Sequence, residues 1–253
     1  MKQQEYSTMF EYENNYWWYV GLHRLINSFI ERYSKKDYSK KILDAGCGTG
    51  KMLQILNQFQ NSEGFDIEEK AIEFSKKREL KNVKIQDINA WQSVENTYDF
   101  IISSDVICCE GILNEEEILS KFHKSLKSGG KLILNLPAFD VLRRNHDIAV
   151  YIAKRYKRKQ FVDELKKIGF KIDLATYRLP SLFIIILILK IFEKKSVEKD
   201  AVSDLKPIPN FINKLFLINN LIENWFIKKG LRFPFGSSLF IIAEKQLLPF
   251  NPD

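Results

Sequence analysis

Three aspartates and three glycines in this 253-residue chain are spaced to hold a small charged ligand. The stretch KILDAGCGTGKML, residues 41–53, runs from an apolar strand pattern through Gly46, Gly48 and Gly50 into a helical pattern. A turn of that kind at the end of a parallel strand holds nucleotide-like ligands. The dinucleotide fingerprint G-x-G-x-x-G would need its third glycine at position 51, where Lys51 stands. Asp44, just before the turn, would repel a pyrophosphate and suits instead a ligand with a cationic amine or sulfonium. The glycines let the backbone approach such a ligand closely. Eighteen residues past Gly48, Asp66 ends a second apolar strand, where a carboxylate can accept from both hydroxyls of a ribose. Asp87 ends a third and is followed by Ile88. That pair can receive an adenine amino group and cover the ring.

These acids meet only if their strands lie side by side. From Lys41 onward, short apolar runs alternate with helical patterns. Strands are predicted at 41–45, around 63–67, and at 83–87, 98–104, 131–137, 170–179 and 237–245. Helices fit at 51–60, 69–78, 115–126 and 158–168, and Ser128-Gly129-Gly130 reads as a tight turn into the fifth strand. The alternation requires an α/β fold with a doubly wound, mainly parallel sheet. Ahead of this core (41–179), residues 12–33 carry Val20, Leu25, Ile26, Phe29 and Ile30 at helical spacing, with Tyr16-Trp17-Trp18-Tyr19 near the start. They form an N-terminal helical cap (1–40) whose aromatic cluster either packs the helix or covers a ligand.

Between the sixth and seventh strands lie about 55 residues (180–234), far beyond the usual ~2–6 of a connection. They read as a helical lid or substrate-binding cap, and the final strand and tail follow (235–253). Asn210 is a candidate N-cap and Gly230 a stop for a helix at 211–229. In that helix Phe211, Leu215, Ile218, Ile222 and Trp225 follow 4-3-4-3 spacing with Phe226 beside them, and Asn213, Asn220, Glu223 and Asn224 gather opposite. The apolar stripe either packs on the core or, with Leu182–Leu189, forms a greasy acceptor pocket or meets a membrane surface.

The segments KILDAGCGTG, EGFDI, IQDINAW, YDFIISSDVI and LKSGGKLILNLPAF stand in the order and spacing of class I S-adenosylmethionine-dependent methyltransferases, which this chain resembles over Lys41 to Phe139. The resemblance implies a Rossmann-like seven-stranded sheet with an antiparallel last strand. It implies S-adenosylmethionine as cofactor, held at Asp44, Gly46, Gly48, Asp66, Ile67, Asp87, Ile88 and Ser104. YENNYWWYVGLHRLI looks like the aromatic first helix of a bacterial subset of that family, the small-molecule type. LPAFDVLRRNHDIAVYIAKRY resembles the Pro-Ala-Phe, His-Asp and Arg-Tyr pattern of the same subset. By that likeness His146, Asp147, Arg155 and Tyr156 mark the acceptor side. One departure stands out: Cys108-Cys109 replace the Glu-His that the family often carries after the fourth strand, so a proton-transferring histidine is missing there.

A sulfonium methyl is already activated, so the protein has mainly to align the nucleophile and exclude water. An alcohol or phenol also has to lose a proton. Of the three histidines, His123 falls on the expected exposed side of a helix, and His23 in the first helix belongs to packing or pocket. His146 lies beyond the fifth strand at the ligand edge of the sheet, as acceptor-side base or orienter, or else as a loop histidine paired with Asp147. KRYKRKQ (154–160) is a solvated helix start or, with Arg143 and Arg144, a grip on an anionic acceptor.

Hydrophobic residues at 45% and aromatics at 13% fill a core. The net charge of +7 suits an anionic partner or reflects lysine spread along the chain. Three cysteines without CxxC or Cys/His spacing imply no disulfide framework and no metal site. The polar N-terminus and an eight-residue longest apolar run imply a cytoplasmic protein, peripheral at a membrane if membrane-associated at all. The expected activity is methyl transfer to a small-molecule or lipid-like acceptor, anionic if the basic run grips it, with O- favoured over N- or C-methylation. Nucleic-acid methylation is the weaker reading, because the Asn/Asp-Pro-Pro-aromatic element of amino-methylating enzymes is replaced by SSDVICC. The other competitor is a non-catalytic regulatory subunit on the same fold.

Overall fold

The computed structural model describes residues 3–192 and 205–246. Most of the charged stretch 193–206 and the tail from 247 lie outside them. Two helices, α1 (Gln3–Tyr12) and α2 (Trp17–Ser34), precede the sheet. Then follow β1 (Lys41–Ala45), α3 (Lys51–Ile55), β2 (Asn61–Asp66), α4 (Glu69–Lys77), β3 (Val83–Ile85), β4 (Tyr98–Ser104), α5 (Glu115–Ser125) and β5 (Leu126–Pro137). After a 3-10 turn at Asp140–Leu142 come α6 (Asn145–Ala149), α7 (Arg158–Ile168), β6 (Phe170–Arg178), α8 (Pro180–Phe192), α9 (Asn210–Lys228) and β7 (Ser238–Lys245).

The seven strands are ordered β3-β2-β1-β4-β5-β7-β6. The pairs from β3 to β5 are parallel, and β7 runs antiparallel to both β5 and β6. The central strands are buried on both faces, which is why they read as unbroken apolar runs rather than alternating ones. Leu43, Ile101, Leu132, Leu134 and Ile241 face one layer with Leu119 and Phe122 of α5 and Phe161 and Leu165 of α7. Ile42, Phe100, Ile102, Ile133, Phe240 and Ile242 face the other, packed by Leu22, Leu25, Ile26, Phe29 and Ile30 of α2. Each of those α2 side chains contributes about 1.5–3 kcal/mol on burial, so the cap is integral to the core.

Several boundaries differ from expectation for local physical reasons. The cap is two helices rather than one, broken where the buried Glu13 turns inward to Thr49 and Arg78. α3 is half its expected length and unwinds into turns at residues 56–59. The Ser128-Gly129-Gly130 turn is an irregularity inside a longer β5, where pairing slips between Tyr98↔Leu126 and Phe100↔Lys131 and Gly129 takes φ +75. His123 is half-buried with its ring edge-on to Phe170 at 4.8 Å, not on an exposed face. Pro209, not Asn210, occupies the cap of α9, and Gly230 follows that helix at φ +97.

The largest correction is the orientation of α9. Its apolar stripe does not pack on the core: Phe211 is 76% exposed, and Leu215, Ile218, Ile222 and Trp225 are each about half exposed. The polar side is inside. Asn213 accepts from the Trp17 amide (2.9 Å) at the start of α2 and donates to the Asn15 carbonyl (2.8 Å). Asn220 donates to the Trp17 carbonyl (3.2 Å) and Asn224 to the Gly21 carbonyl (2.9 Å). The first amides of a helix lack intrahelical partners, and the Asn213 side chain supplies one. The asparagines thus act as a ladder between two helices, and Gly21 gives them room.

Candidate active site

The sheet brings the acids together at the carboxyl ends of its strands. Asp44 pairs in register with Gly64, and Ile102 lies across from it on β4, two residues before Ser104. Past β1 the chain turns through Gly46, Gly48 and Gly50 at φ +84, +53 and +81, a region that favours glycine. A Cβ on Gly46 would stand 2.3 Å from the Val106 side chain, so the loop after β4 presses on the turn. Amides of Gly46 and Cys47 donate to the Phe65 carbonyl (2.8 and 2.9 Å), locking the turn to β2. Asp66 accepts from the Gly48 amide (2.9 Å) and the Glu68 amide (3.1 Å). At the end of β3, the Gln86 amide donates to the Asp66 carbonyl (2.9 Å), which places Asp87 beside Asp66. Asp87 accepts from the amide and side chain of Asn89 (both 2.9 Å), Ile88 is buried, and Ile67 is 59% exposed.

The electrostatics of this cradle favour a cation. Burial pushes the Asp44 carboxyl up to about 7, and the negative charges of Asp66 and Glu13 add to it. Asp66 is raised in the same way, with its two backbone donors pulling the other way. Carboxylates crowded in this fashion relax when a positive ligand group arrives. Over them lies α1: Tyr6 donates a long 3.4 Å hydrogen bond to Asp66, and Phe10 stacks on Phe74 of α4 at 4.6 Å. Ser75 and Arg78 fix the turn from below by donating to the carbonyls of Gly48 (3.1 Å) and Thr49 (3.0 Å).

Beyond β5, three of the four residues anticipated for the acceptor form a clamp. Arg155 grips Asp147 through two bonds of 2.7 and 3.0 Å and donates to the Ala138 carbonyl (2.9 Å). Asp147, buried, also accepts from the Arg144 amide (2.9 Å), closing the start of α6. Tyr156 is buried, donates to the Ile107 carbonyl (3.2 Å), and joins the Pro137 carbonyl through its amide (2.9 Å). Together they hold the 138–156 segment on the end of β5. His146 is half-buried on α6, next to the clamp.

Asp105 is the functional candidate that the sequence reading passed over. It follows β4 directly, with backbone at φ +56, and accepts from Asn135 (2.9 Å). Burial of its carboxyl pushes the pKa up to about 7 against that bond and the charges of Arg178 and Arg155. Arg178 is wholly buried, donates to Asn135 (3.1 Å) and Asn220 (3.4 Å), and keeps an Nε without a partner among the described residues. From α2, Tyr19 feels the charge of Asp105, and His23, feeling that of Arg178, is held neutral by burial with its pKa lowered to about 3. The signal was present in YDFIISSDVI: an acid at a strand end, like Asp44, Asp66 and Asp87. Cys108 is buried, and Cys109 bonds the Asp105 carbonyl through sulfur (3.1 Å).

A family model described as a methyltransferase domain matches residues 36–172, more than half of the chain. The chain belongs to the methyltransferase domain family. Its sheet order is that of the class I, S-adenosylmethionine-dependent type, as the motifs implied. Among curated proteins it is 26% identical over 153 residues to phosphoethanolamine N-methyltransferase 2 of Caenorhabditis elegans, covering 56% of this chain and 35% of that protein. It is 29% identical over 140 residues to the ubiquinone/menaquinone biosynthesis C-methyltransferase UbiE of Wigglesworthia glossinidia brevipalpis, covering 51% and 56%. The chain thus matches between about a third and just over half of these relatives' length. Among solved structures, a methyltransferase from Archaeoglobus fulgidus superposes with TM-score 0.56 at 19% identity, over 88% of this chain and 94% of that one. The Haemonchus contortus phosphoethanolamine N-methyltransferase 2 complex with S-adenosyl-L-methionine gives 0.55 at 18%, over 91% and 53%. At these identities the structures speak for the fold.

Proposed function

We propose that this methyltransferase moves the methyl group of S-adenosylmethionine to an oxygen of a small or lipid-like molecule, with Asp105 taking or orienting the acceptor's proton. The bound cofactor supplies an activated sulfonium methyl. The chain's own residues do the rest: Asp44 faces the cationic end, Asp66 receives the ribose hydroxyls, and Asp87 with Ile88 receives the adenine. The observation that carries the reading is Asp105, a near-neutral carboxyl whose neighbour Val106 touches the glycine turn. A base with pKa close to working pH is the efficient one for a hydroxyl. Arg178, buried beside it, supports an acceptor with an anionic part, as the phosphoethanolamine relatives' name also suggests. On this reading His146 contacts the acceptor, while Asp147, Arg155 and Tyr156 keep that wall in place.

Methyl transfer from labelled cofactor, screened over hydroxyl, amine and carbon acceptors, tests the proposal. Asp105→Asn is expected to lower kcat about a hundredfold or more and to remove the acid limb near pH 7, with cofactor affinity unchanged. His146→Ala is expected to raise the acceptor KM and leave that limb in place. Full turnover in Asp105→Asn would contradict the assignment, and label found on nitrogen or carbon would contradict the O-transfer.

A further inference from the structure

We infer that α8 and α9 form a docking surface for an anionic lipid bilayer. α8 is apolar apart from Ser181 and Lys190, yet none of its described side chains is buried. Ile184, Ile188 and Leu189 are each about half exposed, and Ile191 is 78% exposed. A helix apolar all round belongs inside a core or a bilayer, and this one is in neither as the chain stands alone. α9 adds its inverted stripe, with Phe211 and Trp225 outward because the polar side is committed to α2. The two helices are joined: Ser181 at the start of α8 donates to Glu223 (2.8 Å) and accepts from Asn219 (2.7 Å).

The charges around this face select the occupant. Over residues 180–192 and 205–235 the cations are Lys190, Lys206, Lys214, Lys228, Lys229 and Arg232, and the one acid is Glu223. Glu223 is buried on Ser181, so within these two stretches the exposed ionic groups are all basic, and the exposed Asp140 of the turn beside α8 is paired with Arg143. Apolar and aromatic side chains beside lysines are the composition of a helix lying in a membrane interface. Anionic headgroups attract the rim while the apolar stripe enters the acyl boundary. A second copy of the chain fits less well, because a two-fold interface would set one cationic rim against its equal. No helix among the described residues is long and apolar enough to cross a membrane, so the contact is one of lying on the surface.

Flotation of the full chain with phosphatidylcholine vesicles, with and without phosphatidylglycerol, tests it, alongside sedimentation velocity without vesicles. Flotation is expected on the anionic vesicles, little on neutral ones, and less at high salt. Phe211→Ser with Trp225→Ser, and separately Ile184→Ser with Ile188→Ser, are expected to reduce it at least about tenfold. These side chains point outward, so unchanged cofactor calorimetry shows that the variants fold. Absence of flotation, equal flotation on neutral vesicles, or flotation indifferent to the substitutions would overturn the proposal. So would a dimer that the same substitutions dissolve.

Discussion

Asp44 carries the most direct consequence of the site's electrostatics. Its carboxyl, raised to about 7 by burial and by Asp66 and Glu13, is mostly neutral at pH 6 and mostly charged at pH 8. A cationic cofactor favours the charged form, so binding strengthens as pH rises and releases a proton. With a ligand-free pKa near 7, affinity is expected to fall about tenfold from pH 8 to pH 6. Calorimetry in buffers of different ionisation enthalpy reads both the affinity and the proton. In the ligand-free protein the sign is the reverse: a carboxyl whose folded pKa exceeds its unfolded one loses stability as pH rises from about 4 through 7. The strand-end acids and glycines were legible in sequence because a carboxylate or a positive-φ glycine has few other reasons to sit at such a turn. Asp147, Arg155 and Tyr156 were marked by the family resemblance alone. Their partners were not, since hydrogen bonds to the Ala138 and Ile107 carbonyls come from tertiary placement.

The helices show where pattern reading stops. α7 and β1 fall on their predicted residues because period, glycine stop and apolar run agree there. α9 has an equally clear period, but the period names two faces and does not say which one turns inward. The decision lies in α2, whose Trp17 amide and carbonyls at 17 and 21 are met by Asn213, Asn220 and Asn224. Gly21 is the point of closest approach, where a Cβ would come within 2.0 Å of the Asn220 side chain. Glycine to alanine inside a helix ordinarily stabilises by about 1 kcal/mol. Here overpacking, about 1–3 kcal/mol, opposes it against a buried and fully engaged asparagine. Gly21→Ala is therefore expected to destabilise by about 1 kcal/mol in urea unfolding. A gain in stability would mean that the α2–α9 seam is looser than its hydrogen bonds imply.

At the scale of the whole molecule, the sheet gathers the acids, α1 covers them, and α2 with α9 closes the side on which Asp105 and Arg178 lie. Tyr6 reaches Asp66, the carboxylate proposed for the ribose, through a bond long enough to be exchanged readily. Cofactor binding is accordingly expected to displace that hydroxyl, and cofactor at about a hundred times its Kd to stabilise the fold by about 2.7 kcal/mol. We propose Asp44, Asp66 and the glycine turn as the cradle for S-adenosylmethionine. Isothermal titration of the chain and of Asp66→Ala tests it most directly. Binding of S-adenosylmethionine and its demethylated product is expected, with no binding of nicotinamide dinucleotides and a loss of about 1.5–3 kcal/mol in the variant. Tight nicotinamide binding, or cofactor affinity unchanged in Asp66→Ala, would contradict it.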